Sequence, residues 1–174
     1  MTTIATDGVT IAADSSGFFD TIRAVRPCVK IIVSREAIYA LCGSNAMRMP
    51  VLAWIESGGA VPDMPTCSGA DWAMLAITKT GALMYSSEMP FPTQISYPFA
   101  MGSGEKFAYG AMAAGAEPKE AIAIAARFDA HTGGAVDVVN IAEALGPSLL
   151  LAADGKATLK KAKMRPAMLQ DAAE

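Results

Sequence analysis

Histidine is almost missing from this sequence: His131 is the only one in 174 residues. Metal sites built on several histidines are therefore excluded, and a serine or cysteine triad with a histidine base would have to use that one residue. Cysteine is scarce as well. Cys28, Cys42 and Cys67 are an odd number without metal-ligand spacing, so they read as reduced thiols packed as small hydrophobes. No run approaches the roughly 18 uninterrupted apolar residues of a membrane helix. The N-terminus has neither the basic segment nor the long apolar stretch of a signal peptide, so a cytoplasmic location is expected. There is no basic run either. With a net charge of −3, neither nucleic acid nor an anionic membrane is expected as a partner.

What is present is a globular chain, 52% hydrophobic and only 18% charged. Its length fits a single domain spanning residues 1–174. The polar, mixed segment 160–174 is expected to be a flexible tail. An abundance of Ala, Gly and Met allows layers to pack closely and leaves apolar faces for subunit contacts.

Patterning gives the order of elements. A strand from Thr2 to Thr6 turns at Asp7-Gly8, a strong hairpin signal, and returns as Val9 to Ala13. Residues 18–28 read as irregular. Val29 to Val33 and Ala37 to Cys42 form the next pair of strands. Gly43-Ser44-Asn45 starts a helix running to about Ser57, with Ser44 or Asn45 as its cap. Trp72 to Thr78 and Ala82 to Ser86 form a hairpin, and residues 88–98 read as a proline-rich loop. Phe99 to Met101 is extended. Helices follow over Glu105 to Ala114 and Pro118 to Arg127. Val136 to Ile141, Leu149 to Ala152 and Lys156 to Leu159 are the last strands, the final two joined at Asp154-Gly155. Helices and strands are segregated rather than alternating, which predicts α+β layers.

Six features could carry chemistry, each weak when taken alone. Thr2 follows an initiator Met of the kind removed before a small residue. It would then hold a hydroxyl and a free α-amine, and an amine of pKa about 7.7–8.0 can act as general base near neutrality. Lys30 interrupts the apolar run Val29-Lys30-Ile31-Ile32-Val33. Buried, it must be paired or lower its pKa; otherwise it guards an edge strand. Asp14 ends the strand beside that of Thr2, where it could hold Lys30 or simply begin a turn with Ser15 and Ser16. Asp129 and Thr132, in Asp129-Ala130-His131-Thr132-Gly133-Gly134, could bond an amine or serve an ordinary loop. Ser103, in Gly102-Ser103-Gly104, could do the same or cap a helix. The Gly43 N–H, at the start of a helix, could face an oxyanion.

In this order and spacing the pieces resemble the proteasome β-subunit and bacterial HslV family of N-terminal-nucleophile hydrolases. The matching stretches are Thr2-Thr3-Ile4, Ile11-Ala12-Ala13-Asp14-Ser15, Val29-Lys30-Ile31, Gly43-Ser44, Met101-Gly102-Ser103-Gly104, Ala108 to Gly115, and Asp129 to Gly134. They run from residue 2 to about 141. The resemblance implies an αββα sandwich, stacked rings enclosing a chamber, and chemistry without metal or organic cofactor. By position it implies Thr2 as nucleophile and base, Lys30 as electrostatic activator held by Asp14, and Gly43 as oxyanion donor. Ser103, Asp129 and Thr132 would order the α-amine and its water. Cys28, Leu41 and Asn45 would line the pocket for the residue before the scissile bond, with a modest apolar preference.

The expected activity is that of a threonine-type endopeptidase acting on peptides or unfolded proteins, in a homo-oligomer that an ATP-dependent unfoldase could serve. A non-catalytic ring or scaffold subunit and a small-molecule amidase are the alternatives. No long propeptide precedes Thr2, so loss of Met1 should suffice for maturation. Thr132 stands where proteasome subunits often carry serine, and the match fades after about residue 141.

Overall fold

The computed structural model describes residues 2–19, 22–24, 26–58, 64–66 and 71–146. The expected strands at 149–152 and 156–159, their turn, the tail 160–174, Met1 and Cys67 lie outside these.

Two antiparallel sheets form the middle of the structure. The first has β1 (Thr3–Thr6), β2 (Thr10–Asp14), β10 (Phe99–Gly102) and β11 (Val136–Asn140), in the order β10-β1-β2-β11. The second has β5 (Ile31–Val33), β6 (Ala37–Gly43), β7 (Trp72–Thr78), β8 (Gly81–Ser86) and β9 (Met89–Gln94), in sequence order. A small ribbon, β3 (Phe18–Phe19) with β4 (Ile22–Arg23), stands apart in the stretch expected to be irregular.

Alternation along the strands produces the layers. Ile4, Ile11 and Ala13 turn toward the second sheet and meet Ile38, Ala40, Leu75 and Ile77 in the central core. Ala5 and Ala12 turn the other way, onto Ala108 and Met112 of α2 (Glu105–Ala113) and Ala121, Ile122 and Ala125 of α3 (Pro118–Phe128). On the far side of the second sheet, Tyr39, Trp72 and Met74 pack against Val51, Leu52 and Trp54 of α1 (Arg48–Glu56). The result is the expected αββα sandwich. Small residues on the first sheet let α2 and α3 lie close against it.

Several boundaries differ from expectation. β2 runs on to Asp14, and β5 starts only after Lys30. The helix expected from Ser44 begins as a 3-10 turn, Asn45–Met47, and Ser44 makes no side-chain cap. The loop expected at 88–98 contains β9, because an edge strand tolerates proline where an inner strand would lose a ladder bond. Ile141, expected to end a strand, begins the short helix α4 (Ile141–Leu145), capped by the Asn140 side chain. Among the described residues no helix is long and apolar enough to cross a membrane.

Candidate active site

The register of β1 separates two neighbouring threonines. Thr3 pairs with Gly102 and Ile4 with Met101. Ile4 points into the central core and Ala5 toward the helices, so Thr2 shares the face of Ile4 and Thr3 that of Ala5. Thr2 borders a cavity, whereas Thr3 Oγ1 bonds to Thr132 Oγ1 and accepts the Gly104 N–H at 3.0 Å. The Thr2 carbonyl accepts the Ser103 N–H at 2.8 Å. Gly102, at φ +101°, makes that approach possible, because a Cβ there would lie 1.9 Å from the Thr2 carbonyl oxygen.

Asp14 is fully buried and satisfies four donors. Oδ1 accepts Lys30 Nζ at 2.7 Å and the Thr3 N–H at 2.8 Å. Oδ2 accepts the N–H groups of Ser16 at 3.1 Å and Gly133 at 3.0 Å. Asp14 thus both holds Lys30 and shapes the turn after β2. Lys30 precedes an edge strand but is turned inward and only 6% exposed, so it does not guard the edge. Burial pulls its pKa below the ordinary lysine value, and the hydrogen bond and charge of Asp14 oppose that shift.

Thr2, Lys30 and Gly43 border one cavity of about 420 Å³. Cys28, Leu41 and Asn45 line the same space. Gly43, at φ +96°, has to be glycine, since a Cβ would sit 2.2 Å from the Asp71 carbonyl oxygen.

Ser103, Asp129 and Thr132 form a second group behind Thr2. Ser103 Oγ and Thr132 Oγ1 both donate to Asp129 Oδ2, at 2.7 and 2.5 Å. Donor counting then fixes the chain. Thr132 gives its proton to Asp129, so Thr3 must donate to Thr132, and Gly104 to Thr3. Burial pushes the Asp129 carboxyl upward, but the bonds from Thr132, Ser103 and the His131 N–H hold it below the ordinary aspartate value. This group reaches Thr2 at its carbonyl, with Ser103 Oγ 3.4 Å away. His131 is not on the cavity wall; its ring meets Phe18 edge-on, with Nδ1 3.6 Å from Asp129.

Solved structures share this architecture. HslV from Trypanosoma brucei aligns with a TM-score of 0.63 at 16% identity, over 79% of this chain and 97% of that one. BPH from Thiobacillus denitrificans aligns at 0.60 with 22% identity, over 80% of this chain and 97% of that one. BPH in complex with epoxomicin aligns at 0.59 with 19% identity, over 80% and 98%. The fold is that of HslV and the proteasome β subunit. No family model and no curated protein matches the chain.

Within this HslV-type fold, sequence reasoning missed three residues around the site. Thr3 was hidden by being a second threonine in a strand, where only register tells the two apart. Ser16 lines the cavity but reads as a turn residue after Asp14. Arg48 also lines it, and left a usable signal. It is a cation in the first turn of a helix, the end where the dipole disfavours positive charge.

Proposed function

We propose that this chain is a threonine-type endopeptidase, with Thr2 as its nucleophile once Met1 has been removed. The observation that carries the reading is that Thr2, Lys30 and Gly43 border one cavity, with Lys30 held by buried Asp14. The Thr2 α-amine takes the hydroxyl proton, directly or through water, as Oγ1 attacks the peptide carbonyl carbon. The Gly43 N–H and the charge on Lys30 stabilise the oxyanion and the alkoxide before it; one such donor is typically worth about 10²–10³ in turnover. The amine returns the proton to the leaving nitrogen as the C–N bond breaks, leaving an ester on Thr2. Water, activated by the same amine, hydrolyses that ester. Ser103, Asp129 and Thr132 hold the strand end and its amine in place.

A homo-oligomer of stacked rings, open to an unfoldase, fits this reading. Phe107 and Phe128 stack on each other at 5.4 Å while 42% and 64% exposed, which leaves an aromatic patch for a second copy to cover.

Intact mass spectrometry combined with labelling by epoxomicin tests the proposal. The expected result is loss of Met1, one adduct per chain on Thr2, and neither adduct nor peptide hydrolysis in Thr2→Ala. Active protein that retains Met1 would overturn it. An assembled oligomer that lacks Met1 but takes no label would favour the scaffold reading.

A further inference from the structure

Three buried side-chain polar atoms among the described residues have no hydrogen-bond partner: Ser16 Oγ, Arg48 Nε and Tyr97 Oη. Two of the three belong to residues on the wall of the cavity that holds Thr2. Both atoms have almost no surface of their own, and a buried donor left unpaired is costly, so a side-chain rotation that brought either one to an acceptor in the cavity would be favoured.

Arg48 has the more specific geometry. One terminal nitrogen, Nη1, donates to the Val29 carbonyl, while Nε has no partner. Nε and Nη2 are the two nitrogens whose side-on fork matches a carboxylate. The charge balance points the same way. No aspartate or glutamate is on the described wall, and the other cation there, Lys30, is neutralised by Asp14. Arg48 is also the first residue of α1, whose first turn carries no acid, so helix dipole and guanidinium act together there.

We propose that this cavity selects substrates with an acidic side chain immediately before the scissile bond, and that Arg48 is the specificity-determining residue. Ser16, whose Oγ has no partner, borders the same space. This rests on the peptidase reading above and departs from the apolar preference expected from Cys28, Leu41 and Asn45. Those residues are the uncharged wall along which the stem of a glutamate would lie.

Peptides differing only at that residue, as Glu, Gln or Leu, test it. The expected kcat/KM for Glu exceeds that for Gln by tenfold or more. The ratio should fall toward one in Arg48→Met, which removes the charge and keeps an apolar stem. Arg48→Lys, which keeps the charge without the fork, should retain part of it. Cleavage with Glu no better than Gln overturns the proposal and leaves the peptidase reading intact. Binding to Thr2→Ala, followed by fluorescence anisotropy of the same peptides, separates recognition from chemistry. If nothing is cleaved but the Glu peptide binds at least tenfold tighter, the carboxylate site stands and the peptidase reading falls. Equal binding of Glu and Gln peptides overturns the site.

Discussion

The hydroxyls of Thr3 and Thr132 are hydrogen-bonded to each other across 129 positions of sequence. This bond joins the start of β1 to the loop after α3, and through Asp129 to Ser103, which in turn holds the Thr2 carbonyl. Two adjacent threonines therefore have different surroundings, and substitutions should tell them apart.

Thr2→Ala should abolish hydrolysis while leaving thermal stability nearly unchanged, whereas Thr2→Ser should keep measurable activity. Thr3→Val should instead lower stability by about 1–3 kcal/mol, because the Gly104 N–H loses its acceptor. Urea unfolding and peptide hydrolysis, measured on the same preparations, check both halves.

Asp14 and Lys30 form a buried pair, and removing one partner strands the other. Asp14→Ala should destabilise by about 3–5 kcal/mol, and Lys30→Met should also destabilise, because Asp14 keeps its charge. The double variant Asp14→Leu with Lys30→Met should recover part of the stability and none of the activity. Chemical denaturation gives the first result and a turnover assay the second.

Gly102→Ala should be among the most damaging single-methyl changes. It places a carbon on the Thr2 carbonyl oxygen at a positive φ, so β10 must retreat from Thr2. A drop in kcat together with a lowered unfolding midpoint is expected; unchanged kcat would contradict the placement of Thr2.

Activity should rise as the Thr2 amine deprotonates, near pH 7.7–8.0 for an unperturbed α-amine. It should fall again below pH 10.5, the ordinary lysine value, because burial lowers the pKa of Lys30 and its charge leaves earlier. Asp129 acts at the other end of the scale. Its folded pKa is depressed, so its contribution to stability is complete above its ordinary 3.8 and is lost as pH falls through the lower folded value. Asp129→Asn should flatten that acid limb in a pH series of unfolding curves.

Burial pushes the Cys42 thiol up to about 11, so at pH 8 almost none of it is thiolate. Iodoacetamide should leave Cys42 unmodified in the folded protein and reach it only after denaturation. Peptide mass mapping before and after urea treatment gives the answer.

Sequence alone determined a good deal. Strand and helix periods placed the main elements, because alternation and helical spacing are local properties of the chain. The run Ile11 to Asp14, the lone Lys30 and the glycine-flanked Ser103 marked the site, because charge or tight turns inside apolar strands are costly and stand out. Local pattern could not see β9, since two prolines in an edge strand look like a loop until a neighbouring strand is present. Nor could it tell Thr2 from Thr3. Only pairing with β10 set the register that puts one threonine at the cavity and turns the hydroxyl of the other toward Thr132. The same holds for Arg48. Its charge is plain in the sequence, but only folding buries its Nε where no described residue pairs it.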